Sequence, residues 1–195
     1  MSETSISLLD RLRLQPDEDS WRRLVDLYAP LIRVWLRRYA VTEEDAEDLS
    51  QEVMAVVVRE LPQFVHNQRP GAFRHWLRAV TVNRLRGLWR ERSVTARATG
   101  DSHFVAMLDQ LEDPNSGLSR LWDQEHDQHV ARRLMDLIRP QFEEKTWRAF
   151  RRVVLDGQKP AAVAQELGMS VNAVLLAKSR ILSRLRQEMH GLTDR

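Results

Sequence analysis

Residues 160–189 read PAAVAQELGMSVNAVLLAKSRILSRLRQEM. Pro160 suits the first turn of a helix, where its missing N–H is no loss. Val163, Ala164 and Leu167 share one face of a short helix, and Gly168 supplies the left-handed residue that ends it. Ser170 can cap a longer helix running from Val171 to Met189. Short helix, glycine turn and long helix form the helix-turn-helix pattern. A wheel stepped at about 100° per residue gathers Val171, Val174, Ile181, Leu182, Leu185 and Met189 on a side to be buried. Asn172, Leu176, Ser179, Arg180, Ser183 and Gln187 face away, with Arg184 beside them. Arg180 suits guanine or phosphate, Asn172 and Gln187 can donate and accept, and Leu176 can meet a thymine methyl. A plain helical hairpin with a solvated face would share the periodicity. The glycine turn, the capping serine and the basic outer face together favour DNA.

Period-2 strand patterns are absent, and glycine and proline are scarce at seven each. The sequence therefore predicts an all-α protein, with two small helical domains joined by a linker and the second a helix-turn-helix domain. Helices are expected at 4–14 and 19–39, the latter bent or broken at Pro30. Thr42 and Asp45 resemble a capping box that opens a helix to residue 61, with Ala46, Leu49, Val53, Val56 and Val57 as its buried stripe. Residues 64–71 read as a loop before a helix over 73–92. The expected division is 1–92, an acidic flexible linker over 93–118, and 119–195. Phe104, Val105, Met107, Leu108 and Leu111 could give the linker a short docking helix.

With 195 residues, 43% of them hydrophobic and 30% charged, the chain suits one or two globular domains. The formal charge of +2 hides the fact that 27 of the 30 basic residues are arginines, whose forked donors match phosphate and carboxylate. Cysteine is absent, so disulfides, thiolate metal sites and cysteine nucleophiles are excluded. Neither a membrane-spanning run nor a signal peptide is evident, and the expected location is cytoplasmic, without membrane insertion.

Charge comes in blocks. Residues 41–60 carry seven acids against Arg59, residues 69–92 seven arginines against Glu91, and residues 101–127 seven acids against Arg120. The last fifty residues turn basic again. Two basic modules separated by an acidic stretch suggest two contacts on a polyanion, with an acidic segment able to compete for them. In FRHWLRAVTVNRLRGLWRER, residues 73–92, the wheel buries Phe73, Trp76, Leu77, Val80 and Leu88. It turns His75, Arg78, Arg86 and Arg90 outward with Val82 and Trp89, and leaves Asn83 on the border. An aromatic among arginines suits single-stranded nucleic acid, where bases stack and arginine holds the backbone. Trp89 could equally pack on the linker or a neighbouring helix.

This combination resembles the extracytoplasmic-function (ECF) sigma factors of bacterial RNA polymerase. DAEDLSQEVMAVVVRELPQF and GAFRHWLRAVTVNRLRGLWRER are similar to sigma region two, and LDGQKPAAVAQELGMSVNAVLLAKSRILSRLR to region four. The resemblance implies a transcription initiation factor rather than an enzyme, with no cofactor or metal. Its partners would be core polymerase, through the coiled coil of the largest catalytic subunit, promoter DNA and, as a further partner, an anti-sigma factor. Asp45, Asp48, Leu49, Gln51 and Glu52 would dock on the polymerase. His66, Asn67 and Arg69 in the loop, with Arg74, His75, Arg78, Asn83, Arg86, Trp89 and Arg90, would open the −10 element, Asn83 contacting an extruded base. Asn172, Leu176, Ser179, Arg180, Ser183 and Arg184 would read the −35 element. Leu175, Leu176 and Ala177 stand where many members of the family carry polar residues.

Two alternatives remain open at this level. One is a polymerase-independent helix-turn-helix regulator, its first half a sensor or dimerisation domain. The other is a metal enzyme built on Glu125, His126 and His129, within Asp123–His129. Those spacings suit a metal, but no second acid-histidine pair completes a bundle site, and the start of a solvated helix explains the run more simply.

Overall fold

The computed structural model describes residues 7–39, 41–64, 71–95 and 102–193. Among these residues the protein is all-α. Leu8–Leu14 (α1) starts at Ser7, whose hydroxyl accepts from the Asp10 N–H, and Glu18–Leu36 (α2) starts at Asp17, which accepts from Ser20. Glu43–Glu60 (α3) opens with the expected box: Thr42 Oγ1 accepts from the Asp45 N–H, and Asp45 accepts from the Thr42 N–H. Ala72–Thr95 (α4) follows, then Ser102–Glu112 (α5) and Gly117–Ile138 (α6). The chain closes with Glu144–Val154 (α7), Pro160–Leu167 (α8) and Val171–Met189 (α9).

Helices α2, α3 and α4 pack as a bundle around Leu24, Leu27, Tyr28, Val53, Val57, Phe73, Leu77 and Leu85. The same apolar core continues through Trp122, Val130, Leu134 and Ile138 of α6 to Ile181 and Leu185 of α9. A smaller core of Ala149, Val163, Ala164, Val174 and Ala177 belongs to α7–α9 alone. The two halves expected from sequence are thus in extensive contact, with α6 lying between them. The docking helix that the expected linker could hold is present. The linker's described part holds α5, with Leu108 and Leu111 buried, and Ser116 caps α6 by accepting from the Ser119 N–H. The hydrophobic residues on one face of α5 outweigh its acidity and hold it against the bundle.

Pro30 neither breaks nor ends α2, which runs on to Leu36. Proline cannot donate to the carbonyl four residues earlier, here that of Asp26. The Arg133 guanidinium of α6 supplies that bond at 3.1 Å. One turn earlier on α6, His129 Nε2 donates to the Leu27 carbonyl at 2.7 Å, and from α3 the Ser50 hydroxyl donates to the Ala29 carbonyl at 3.3 Å. Neighbouring helices thus satisfy the carbonyls around the proline. Because Arg133 replaces a bond that proline deletes, Arg133→Ala should cost about 1 kcal/mol of stability in the native chain and close to nothing in a Pro30→Ala background. A denaturant double-mutant cycle measures this, and strictly additive costs would contradict the compensation.

Candidate nucleic-acid interface

The short helix α8, its glycine turn and the long helix α9 form in the order expected from sequence. Gly168 adopts φ 57° and ψ 49°, the left-handed region, and its N–H turns back to the end of α8. Ser170 caps α9 by accepting from the Ala173 N–H, and the two helices meet at 107°. Along α9, Val171, Asn172, Leu175, Leu176, Ser179, Arg180 and Ser183 are all exposed and form one continuous stripe. Val174, Ala177, Ile181 and Leu185 are buried. Two sequence expectations shift. Val171 is exposed rather than buried, because the first turn of α9 projects beyond the small core. Arg184 leaves the outward face: it reaches Glu188 at 2.5 Å and donates to Gln141 Oε1 at 2.9 Å, with its side chain 18% exposed. Glu188 is itself buried and also faces Arg11 at 3.4 Å. A carboxylate removed from water needs such cations. On the neighbouring helix α7 and just before α8, Arg148, Arg151 and Lys159 are exposed, as is Arg180 in the stripe, and among the described residues no ion pair engages them.

The basic face of α4 presents the opposite picture. Arg78, expected to point outward, and Arg74, expected to meet the −10 element, are 4% and 8% exposed. Arg74 Nη1 donates to Asp127 at 2.8 Å and Arg74 Nε lies 3.1 Å from Asp123. Arg78 Nη1 donates to Asp123 at 3.0 Å and to the Ser119 carbonyl at 3.3 Å. His75 stays exposed, its Nε2 3.5 Å from Asp123. Arg86 is held by Asp109 at 3.0 Å and by Glu112, both on α5. The reason is that α4 has two buried sides: α2 and α3 cover one, and α5 and α6 cover the other. Val82 is buried for the same cause, and Trp89 packs half-buried against the main core. Arg90 remains exposed, its Nε 3.5 Å from the Arg86 carbonyl. Burial depresses the Arg78 pKa, against the opposing pull of Asp123.

Asn83 is exposed and borders a groove of about 110 Å³ between α3 and α4, lined also by Leu49, Glu52, Arg84, Gly87 and Leu88. Gly87 helps to open it, since a Cβ there would meet nothing within 4 Å. Arg84, which the sequence reading passed over, spans it to Glu52 at 3.7 Å. Of the acidic helix, Asp48, Gln51 and Glu52 are exposed. Leu49 is 4% exposed and belongs to the core, so its part in any docking face is to seat α3 rather than to touch a partner. Asp45 is tied to Thr42 and Arg92, whose hydrogen bonds hold its carboxyl below the usual range. His66, Asn67 and Arg69 lie outside the described residues.

The Asp123–His129 run is neither solvated nor at a helix start. His126 is fully buried, stacked on Tyr28 at 5.6 Å between ring centres. The tautomer that satisfies both partners donates from Nδ1 to Asp127 at 3.1 Å and accepts from the Tyr28 hydroxyl at Nε2, 3.3 Å away. His129 is turned to Leu27, and Glu125 takes Arg38 at 2.7 Å. The three candidate ligands therefore point to separate partners. Among the described residues no three acid or histidine groups are placed to share a metal ion.

Helices α2–α4 are the ones that known proteins share. Residues 24–94 match the family model Sigma-70 region 2. The segment is similar to sigma-70 region 2. Over 89 residues, 46% of its length, the chain is also 33% identical to the ECF RNA polymerase sigma factor SigE of Mycolicibacterium smegmatis. The match spans 33% of that relative's length. Region 2 here includes the groove at Asn83, the exposed acids of α3 and the arginines of α4. Its partners Asp123 and Asp127 stand outside the matched residues. No single described helix is long and apolar enough to cross a membrane.

Burial holds the His126 pKa below its ordinary 6.5, although Asp127 pulls it up. For Asp127 burial acts upward, but hydrogen bonds from His126 and Arg74 outweigh it and keep the carboxyl low. His129 is likewise depressed by burial. With a histidine pKa lower in the folded than in the unfolded chain, the unfolded state takes up protons first as pH falls below about 6.5. Stability is therefore fully present above that pH and declines from there towards the lower folded value, before carboxylates titrate. Thermal unfolding followed between pH 7.5 and 5 should show this decline, and His126→Gln should flatten it.

Proposed function

We propose that this protein is a sigma factor of the ECF type, which directs core RNA polymerase to promoters. The observation that carries the reading is the pairing of a match to sigma-70 region 2 over 24–94 with a short helix, glycine turn and long helix whose exposed stripe includes Arg180. In this reading Asp48, Gln51 and Glu52 dock on the coiled coil of the polymerase's largest subunit. Asn83 and the α4 face hold the opened −10 strand, and the α9 stripe reads the −35 element in the duplex major groove. Melting calls for no catalytic residue, since extruded bases exchange stacking for protein contacts at a few kcal/mol each.

The packing also sets a condition on that function. Two elements about 25 base pairs apart are separated by roughly 85 Å of duplex. A compact chain of 195 residues has a radius of gyration of about 16 Å. Both faces cannot reach their elements while α9 shares a core with α2, so α6 and α9 must swing away from region 2 on the polymerase. Release of Asp123 and Asp127 then frees Arg74 and Arg78 for phosphate.

Run-off transcription from a genomic template library, with purified core enzyme, should give promoter-dependent products. No product together with no core binding would refute the reading. Asp48→Arg should weaken core binding at least several-fold. Asn83→Ala should impair opening, seen by permanganate reactivity of unpaired thymines, with core binding retained; equal loss in both assays would contradict the division of roles.

One observation favours a second reading. Arg180 on α9 is exposed in the isolated chain while Arg74, Arg78 and Arg86 of α4 are engaged by carboxylates, as a polymerase-independent regulator would require. Such a protein would footprint duplex DNA by itself, as a dimer on paired half-sites.

A further inference from the structure

The exposed stripe of α9 is unusual in its chemistry. Its first two turns present Val171, Leu175 and Leu176, 45%, 45% and 46% exposed, with Asn172 among them. Large apolar side chains elsewhere in the chain are mostly buried. Leu175 and Leu176 cannot be excused as poor packing, because Val174 and Ala177 on the same turn fill the small core completely. The stripe's one long cationic donor, Arg180, sits a turn further on, with the exposed Ser179 and Ser183 on either side of it.

In a helix-turn-helix the N-terminal residues of the second helix meet the base edges. The major groove offers a single apolar group, the C5-methyl of thymine. Asparagine is matched to adenine through N6 and N7, and arginine to guanine through O6 and N7. Resting on the sigma-factor reading, we propose that the first two turns of α9 select the −35 element by thymine methyl groups. Val171, Leu175 and Leu176 close over consecutive A·T pairs, Asn172 pairs with an adenine among them, and Arg180 places a guanine at the far end. Arg180, exposed in the same stripe, gives this face a cation and favours a polyanion over an apolar protein helix. This assigns Val171 and Leu175 a role in specificity beside Leu176, and names the base class that the element must contain.

Deoxyuridine isolates the effect, because it keeps every hydrogen-bonding group of thymine and lacks only the methyl. Full-length protein with core polymerase is used to select transcribed templates from a library randomised over the −35 region. The selected element should hold a run of A·T pairs ending in G·C. Uracil placed at those thymines should lower transcription about four-fold per methyl, the transfer free energy of one such group. Leu176→Ala should lower transcription similarly on the thymine template and make the uracil substitution facing it silent. These exposed positions tolerate alanine, and unchanged thermal unfolding checks it. A selected element without A·T enrichment, or transcription indifferent to uracil, overturns the inference and leaves the sigma-factor reading standing. Loss of core binding in Leu175→Ala or Leu176→Ala, with uracil still without effect, also overturns it and makes the patch a protein-docking surface. Absence of any core-dependent transcript overturns both.

Discussion

Two guanidinium groups, on Arg74 and Arg78, are almost wholly removed from water, and each must find an anion there or destabilise the fold by several kcal/mol. Asp123 and Asp127 meet that demand from α6. Much else follows from this contact. It fixes which side of α4 turns inward, so that Val82 becomes a core residue. It carries His126 into the interior beside Tyr28, where Asp127 serves the histidine as well as the arginine. It also sets α6 where α5 can close over Arg86 and α9 can join the main core.

The molecule consequently has one covered and one open basic surface. On α4 the arginines at 74, 78 and 86 are engaged by carboxylates of the chain itself. Around α9 the corresponding charges face solvent. The acidic block that lies between the two basic blocks in the sequence is spent on the first of them. A formal charge of +2 then describes two unlike electrostatic surfaces whose contributions nearly cancel on paper.

Helices were legible because capping and periodicity are local. The box at Thr42 and Asp45, the stop at Gly168 and the cap at Ser170 needed no knowledge of the rest of the chain. The outward stripe of α9 followed from the same wheel, since only one neighbour layer covers that helix. The wheel failed on α4 because it assumes a single buried side. Its arginines looked solvated only for want of a visible partner. A signal did exist: Arg74 and Arg78 are four residues apart, and so are Asp123 and Asp127, spacings that let two helices meet charge to charge. Pro30 misled for a related reason. Its local tendency to break a helix was outweighed by donors in α6, 102 and 107 positions from the carbonyls they serve.

The carbonyls beside Pro30 give α6 something that apolar packing alone does not, a fixed register. Hydrophobic surfaces slide and rotate over one another at little change in buried area, whereas the Asp26 and Leu27 carbonyls accept only from donors one turn apart on a single face. Moving α6 by one residue turns His129 and Arg133 away together and strands the Asp26 carbonyl, to which Pro30 cannot donate. The contact between the halves is therefore keyed like a lock with two pins. It is complete or it is absent, so departure of α6 from α2 would take the form of a discrete step rather than a gradual slip.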